Sequence, residues 1–200
     1  MKGKIINLGY QGSGITTLNK ALEQMGYKVW NDLLPVFPDI MDDHLSPVRK
    51  KMSNYQVFSG LPWSNHYLSL QSLFEEENIK FILSVRNPEE WYESVKKAHK
   101  QYSHPVLKHL FKGRSASKKS TKKALIKEYK EHNISIMDQF SEDSEKLLIL
   151  EYGKHHDWDR LCEFLNVKKP NKLFPKLKDD FKKSSKFNIF SNRIMNKFSL

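Results

Sequence analysis

Cysteine is almost absent from this 200-residue chain, which has a single one, Cys162. One cysteine cannot form a disulfide within the chain, so we expect a fold held by packing and a reducing, cytoplasmic location. Cys162 lies in a helical pattern, where the ordinary role of a cysteine is that of a small buried side chain. The chain also has no run of about 18 apolar residues and no apolar segment at its start, so neither a membrane span nor a secretion signal is predicted.

Acidic residues are scarce relative to basic ones, with 23 Asp and Glu against 34 Lys and Arg and a formal net charge of +11. Such a charge favours an anionic partner, and nucleic acid, an acidic membrane surface and a polyanionic small ligand all remain open. Residues 108–130 and 176–197 hold much of the excess. The first segment lacks the alternation of aromatic and basic residues typical of single-strand-binding surfaces. We interpret it as a solvated, mobile face or loop, with anion recruitment as the alternative.

Short apolar runs alternate with helical patterns along the chain. Strands are predicted at residues 4–8, 28–30, 81–85 and 147–150, with a weaker one at 55–58. Helices are predicted at residues 16–25, 64–77, 88–99, 122–140 and 157–165. This alternation favours an α/β fold of three layers, in which a central, mostly parallel sheet is flanked by helices. We expect one such domain over residues 1–180 and a basic amphipathic tail over 181–200, which either docks on the core or contacts a membrane surface or a partner.

The most informative segment is a glycine-rich turn between the first predicted strand and the first predicted helix. It reads Gly-Tyr-Gln-Gly-Ser-Gly-Ile-Thr-Thr from position 9 to position 17. Glycines allow backbone N–H groups to turn toward an anion, and the start of a helix adds its partial positive charge. The turn nearly forms the loop G-x-x-x-x-G-K-T, but an isoleucine occupies the place of the lysine, so an NTPase is not predicted. A phosphate site is predicted at Gly12, Ser13, Gly14, Ile15, Thr16 and Thr17.

A second anion-binding pair follows the strand predicted at residues 81–85. Arg86 comes directly after that strand, and Ser94 lies about two turns into the next helical pattern. At this spacing the guanidinium and the hydroxyl can contact one phosphate. An arginine after a strand is by itself more typical of a structural ion pair. Together with the glycine-rich turn, however, the pair suggests a ligand with phosphates at two ends.

Five segments resemble, in order, the sulfotransferases that use 3′-phosphoadenosine 5′-phosphosulfate (PAPS), especially a compact branch of that family. They are the loop 9–18, Arg-Asn-Pro-Glu-Glu-Trp-Tyr-Glu-Ser-Val at 86–95, Tyr-Lys-Glu-His-Asn at 129–133, the apolar run 147–150, and residues 158–167 with Phe-Pro at 174–175. The resemblance implies that the loop binds the 5′-phosphosulfate, with Thr16 and Thr17 at the positions of the family's threonine or serine pair. It also implies that Arg86 and Ser94 bind the 3′-phosphate. PAPS has no γ-phosphate, which accounts for the absent lysine.

The activity that the resemblance implies is transfer of a sulfuryl group from PAPS, as co-substrate and without a metal, to a hydroxyl or amine of a glycan or small molecule. Two departures leave open a sulfotransferase-like protein that binds PAPS or its product with little or no turnover. Gly12 stands where the family has a lysine or arginine facing the oxygen between phosphate and sulfate. Ser59 and Gly60 stand where the compact branch has an acidic residue. Loss of a cation directed at a leaving group costs ~100- to 1,000-fold in rate.

Three residues are candidates for the remaining catalytic roles. Lys20, or a lysine of residues 112–123, could supply the absent cation. A general base must take the proton of the acceptor. His66, just after a Pro-Trp turn, is the first candidate for it, and Asp32, after the second predicted strand, is the next. A surface or capping role is the alternative for both.

Other functions explain fewer of these features. A nucleotide or small-molecule kinase would need the absent lysine and a Mg²⁺-binding acidic residue after a strand. A nucleic-acid binder would account for the charge but not for the loop together with Arg86 and Ser94. The adjacent His155 and His156 point apart in most backbones, so no metal is expected. We expect the acceptor pocket in loops at residues 35–52 and 99–120, whose sequences do not identify the acceptor.

Overall fold

A four-stranded, fully parallel sheet forms the centre of the protein in its computed structural model, which describes residues 3–31, 39–40, 42, 44, 46–74, 78–101, 105–154 and 157–175. The strands are β1 (Lys4–Asn7), β2 (Val57–Ser59), β3 (Ile79–Val85) and β4 (Leu147–Glu151), in the spatial order β2-β1-β3-β4. All three strand pairs are parallel. The strand predicted at residues 28–30 is reduced to one parallel bridge, between Val29 and Val57.

Seven α-helices lie in the described residues. They are α1 (Ile15–Gln24), α2 (Ser46–Met52), α3 (Tyr67–Leu73), α4 (Pro88–Gln101), α5 (Pro105–Phe111), α6 (Lys119–Gln139) and α7 (Trp158–Leu165). Short 3-10 helices occur at Trp63–Asn65 and Ser144–Lys146. The helix predicted at residues 64–77 is therefore split between a 3-10 turn and α3. None of the described helices combines the length and the hydropathy that a membrane span requires.

Consecutive residues of each strand face opposite sides of the sheet, because side chains alternate along a strand. On one side, Ile6 and Phe81 share a core with Ile136 of α6. On the other, Ile5 shares a core with Leu22 of α1 and with α7. Both sides of the sheet are covered by helices, which confirms the predicted three-layer α/β fold.

The basic segment 108–130 is mostly helical, so the interpretation as a mobile loop was wrong, although most of its lysines lie on an exposed face as expected. The end of α5, a short connection and the first half of α6 occupy it. Leu125 is fully buried and Ala116 nearly so, in a core that α4, α5 and α6 form together. Arg114 pairs with Glu128 of α6, with Nη1 2.8 Å from Oε1. Lysine is a good helix former, so a basic face is compatible with a helix whose other face is buried.

Several sequence-based expectations fall outside the described residues: Asp32, His155 and His156, and the tail 181–200. The two segments expected to be loops, 35–52 and 99–120, contain the helices α2 and α5 among their described residues. Cys162 is buried in α7, as expected, and burial raises the pKa of its thiol. A buried, protonated thiol fits the packing role and is poorly suited to nucleophilic attack.

Candidate functional site

The glycine-rich loop leaves the carboxyl end of β1, at the middle of the sheet. The chain first adds β2 on one side of β1 and then crosses to add β3 on the other side. In open parallel sheets, ligands bind at such a switch point, beyond the carboxyl ends of the strands. Gly12 has φ of 89° and Gly14, which precedes α1, has φ of 97°. Glycine adopts these left-handed conformations without the strain that other residues suffer, so two glycines shape the turn into the helix.

Hydrogen bonds within the loop and with β3 fix its inner side. Asn7 Oδ1, at the end of β1, accepts from the backbone N–H of Gly9 at 3.1 Å and from that of Ser84 at 3.4 Å. The hydroxyl of Ser13 donates to the carbonyl of Tyr10 at 2.7 Å, and Ser13 is fully buried. The backbone N–H of Ser13 donates to the same carbonyl at 3.1 Å. Both donors of Ser13 therefore hold the loop, so the N–H groups that can face a ligand are those of its neighbours in the loop.

The outer side of the loop is bound to two other elements. Trp91 of α4 donates from Nε1 to the carbonyl of Gln11 at 2.8 Å. The side-chain amide of Gln11 in turn makes two bonds with the backbone of Leu61, at 3.0 and 3.2 Å. A loop bound on both sides keeps its shape without a ligand, which reduces the entropy lost on binding.

A stack of aromatic rings joins the loop to α6. The ring of Tyr10 stacks on His132 with centroids 4.0 Å apart, and Trp91 stacks on Tyr129 at 4.1 Å. His132 Nε2 lies 2.8 Å from the carbonyl oxygen of Leu8, and because a carbonyl only accepts, this nitrogen carries the proton.

Burial lowers the pKa of His132, although the bond to Leu8 opposes this. Burial, with a smaller effect from Glu128, raises the pKa of Tyr10 to about 12. Both groups are therefore neutral at pH 7.

Arg86 and Ser94 lie beside the glycine-rich loop. Arg86 follows β3, and its Nη1 is 3.4 Å from the carbonyl oxygen of Gly12. The hydroxyl of Tyr129 accepts from the backbone N–H of Arg86 at 2.8 Å, which fixes the start of the α4 segment. Ser94 Oγ lies 3.4 Å from the position that a Cβ would take on Gly12. The two parts of the predicted two-phosphate site are thus adjacent, although they are more than 70 residues apart in sequence.

The other residues of the predicted phosphate site lie at the start of α1. Ile15 and Thr16 are half-buried, and Thr17 is buried. Thr17 Oγ1 has no hydrogen-bond partner within the part of the chain that the structure describes. A buried hydroxyl without a partner costs ~1 to 3 kcal/mol. An oxygen of an anion bound at the helix start is the kind of acceptor that would satisfy it.

The glycine at position 12 is required by packing. A Cβ on Gly12 would lie 2.8 Å from Val95 Cγ1, 3.4 Å from Ser94 Oγ and 3.5 Å from Trp91 Cδ1. The first distance is shorter than carbon atoms tolerate, and the positive φ adds strain for any residue with a side chain. The position where the resemblance expects a cation is therefore closed to lysine and arginine unless α4 moves.

The candidates for catalysis differ in how they are placed. Lys20 is exposed on α1 and pairs with Glu23 at 2.9 Å, toward the far end of the helix from the loop. His66 is half-buried between the 3-10 turn and α3. It is the neighbour of Asn65, whose Oδ1 accepts from the hydroxyl of Tyr10 at 3.3 Å. His66 therefore lies on the loop's side of the sheet, whereas the structure gives Lys20 no contact with the loop.

Sequence reasoning missed the residues that support the loop, because their roles depend on contacts between distant segments. These residues are Asn7, Gln11, Trp91, Tyr129 and His132. One signal was present, since Asn7 is a polar residue in an otherwise apolar strand and is fully buried. Among the described residues, no group of three or more His, Cys, Asp or Glu could hold a metal ion.

Comparison with known proteins adds one match to this geometry. A family model described as "Sulfotransferase domain" matches residues 4–113 and 98–182, which together make up most of the chain. The matched residues include the glycine-rich loop, Arg86, Ser94 and the helices that hold them. A comparison with curated proteins gives no match.

Proposed function

The chain belongs to the sulfotransferase domain family, and on that premise we propose that it transfers a sulfuryl group from PAPS to a hydroxyl or amine of a glycan or small molecule. One observation carries the proposal: the glycine-rich loop and the Arg86–Ser94 pair meet at Gly12, with Arg86 Nη1 3.4 Å from its carbonyl oxygen. A ligand with phosphates at two ends can contact both parts at once. A nucleoside triphosphate would instead require the lysine that Ile15 replaces.

The residues present fit PAPS. The backbone N–H groups of the loop and the start of α1 would hold the 5′-phosphosulfate, and Arg86 and Ser94 would hold the 3′-phosphate. Arg86 is placed for this role, because its side chain is only 22% exposed and is held beside the loop by the carbonyl of Gly12 and the ring of Tyr152. Its partner Glu90, at 3.3 Å, is 64% exposed, so a phosphate that replaces this carboxylate would meet a guanidinium already directed at the loop.

The reaction needs a proton acceptor and stabilisation of the leaving phosphate. When bound, PAPS supplies an activated sulfuryl group, which the acceptor oxygen or nitrogen attacks in line. We assign the general base to His66, because it is half-buried beside the residue that contacts Tyr10 of the loop. The N–H groups of the loop and the start of α1 would stabilise the charge that develops on the leaving phosphate.

A second candidate function is binding of PAPS or its product with little or no turnover. The observation that favours it is the packing around Gly12, which excludes the family's cation from the loop. Ser59 adds to it: this residue replaces an expected acid, and its hydroxyl donates to Asn19 Oδ1 at 2.6 Å. Turnover therefore depends on whether the N–H groups of the loop and the start of α1 stabilise the leaving phosphate without that cation.

Calorimetry separates these functions from a kinase. We expect adenosine 3′,5′-bisphosphate to bind the wild-type protein and ATP with Mg²⁺ to bind more weakly. The Arg86→Ala variant should bind the bisphosphate ~10- to 100-fold more weakly, because hydrogen bonds to charged groups contribute about 1.5 to 3 kcal/mol. Arg160→Ala, which removes an exposed arginine from α7, is the matched control. A preference for ATP with Mg²⁺ would refute both functions, and transfer of labelled sulfate to an acceptor library decides between them.

The cytoplasmic location is part of the proposal and is supported by the single, buried cysteine. The domain boundary near residue 180 and the role of the tail 181–200 are also proposals. A protein truncated after residue 180 that keeps its bisphosphate affinity would support that boundary, and a loss of affinity would argue against it.

A further inference from the structure

A basic cleft lies between α6 and the first turn of α4. It has a volume of about 580 Å³, within the range of small-molecule sites. Its lining includes five lysines of α6, which are Lys119, Lys122, Lys123, Lys127 and Lys130. This charged surface is not explained by binding of the sulfuryl donor at the loop.

The cleft has more positive charge than its own acidic residues can balance. Lys122 pairs with Glu89 at 2.6 Å, and Lys127 pairs with Glu131 at 3.6 Å. The other three lysines that line it have no acidic partner within 4 Å among the described residues; they are Lys119, Lys123 and Lys130. Lys122 also lies 3.7 Å from Glu93, so five lysines face three carboxylates, and the excess of two positive charges favours an anionic ligand.

The spacing of the lysines indicates an elongated ligand with several anionic groups. Apart from the adjacent Lys122 and Lys123, successive lysines are three or four residues apart, so they form one stripe along α6. From residue 119 to residue 130 the stripe extends ~16 Å, at about 1.5 Å per residue. One small anion cannot contact lysines that far apart, whereas an oligomer with repeated negative charges can.

The other side chains in the cleft favour a saccharide over a nucleic acid. Neither an aromatic ring nor an arginine is among the described residues that line it, and single-stranded nucleic acid is normally bound by stacking on aromatic rings. The oxygens of Glu89 and Glu131 can accept hydrogen bonds from sugar hydroxyls. Ile126 offers a small apolar surface at the middle of the stripe.

The cleft adjoins the proposed 3′-phosphate site. Glu89 lies three residues after Arg86, in the first turn of α4. Lys130 follows Tyr129, whose hydroxyl accepts from the backbone N–H of Arg86 at 2.8 Å. We propose that this cleft binds an acidic glycan, an oligosaccharide with carboxylate or sulfate groups, and holds it as the acceptor. This inference rests on the proposed sulfotransferase function, because a glycan bound in the cleft is an acceptor only if the protein transfers a sulfuryl group to its hydroxyl or amine groups.

The test is binding of a fluorescently labelled heparin hexasaccharide, measured by anisotropy at several salt concentrations. The cleft variant combines Lys119→Gln, Lys123→Gln and Lys130→Gln. The control variant removes the same charge elsewhere, with Lys28→Gln, Lys168→Gln and Lys172→Gln, all at exposed positions. We expect the cleft variant to bind on the order of 100-fold more weakly, at about 5-fold per lysine, and to show a smaller salt dependence. The control should change by less than about 3-fold.

Two further measurements keep the result interpretable. Arginine at the same three positions of the cleft keeps the charge and should retain the affinity, which distinguishes a charge effect from misfolding. Equal losses in the cleft and control variants would overturn the proposal. The proposal would also be overturned if a single-stranded oligonucleotide of matched charge bound the cleft more tightly than the heparin hexasaccharide does. Calorimetry with adenosine 3′,5′-bisphosphate on the same proteins tests the donor site separately, so a failed cleft and a failed donor site give different results.

Discussion

The substitution Gly12→Ala is expected to lower the free energy of unfolding by about 2 to 5 kcal/mol. Two effects contribute. A residue with a side chain at φ of 89° suffers ~1 to 2 kcal/mol of backbone strain. The new Cβ would also lie 2.8 Å from Val95 Cγ1, and overpacking of this kind costs ~1 to 3 kcal/mol. Because native domains are stable by only about 5 to 15 kcal/mol, the change is large.

Gly153→Ala is the matched control for the backbone effect. Gly153 has φ of 85°, close to that of Gly12, but a Cβ there would have no heavy atom within 4 Å. Urea unfolding of both variants should therefore give a larger loss for Gly12→Ala, by the overpacking contribution of ~1 to 3 kcal/mol. In a Val95→Ala background, Gly12→Ala should become less destabilising. Equal losses for the two glycine variants would refute the packing argument, and with it the reason why the loop excludes a cation.

Three further variants test the support of the loop and the assigned base. Trp91→Phe removes the donor to the carbonyl of Gln11 and should weaken bisphosphate binding in calorimetry, whereas Trp158→Phe, which removes a donor in α7, should reduce stability only. The pKa of His132 is lowered in the folded protein, so below pH 6.5 the unfolded chain binds more protons and the wild type loses stability as the pH falls. His132→Gln should make the free energy of unfolding, measured in urea at several pH values, less dependent on pH in this range. His66→Gln should lower kcat by ~100-fold or more without changing bisphosphate affinity; unchanged kcat would exclude it as the base.

The sheet and the glycine-rich loop could be predicted because their signals are local. Apolar runs at β1, β3 and β4, and the glycine-rich turn after β1, are each contained in fewer than ten residues. The residues 28–30 show the same apolar pattern but lie at the outer edge of the sheet, and only Val29 forms a bridge there. A local pattern predicts that a segment can be extended, whereas its position in the sheet decides how much of it pairs.

The supports of the loop could not be predicted because they join segments that are far apart in sequence. His132 contacts Leu8 across 124 residues, and Trp91 contacts Gln11 across 80. The meaning of Gly12 also depended on the fold. In the sequence it marked a missing cation, whereas in the structure it is the residue that allows Val95 to pack against the loop. The short helices α2 and α5 were missed because helices of this length depend on tertiary packing more than on local pattern.

The central claim is that the glycine-rich loop and the Arg86–Ser94 pair form one site with separate places for two phosphates. Calorimetry with adenosine 3′,5′-bisphosphate and adenosine 5′-monophosphate, on wild-type protein and Arg86→Ala, tests it most directly. We predict that the wild type binds the bisphosphate at least ~10-fold more tightly, since hydrogen bonds to charged groups contribute about 1.5 to 3 kcal/mol, and that Arg86→Ala abolishes this difference while keeping its affinity for the monophosphate. Equal affinity of the wild type for both nucleotides, or a preference for the bisphosphate that survives in Arg86→Ala, would contradict the claim.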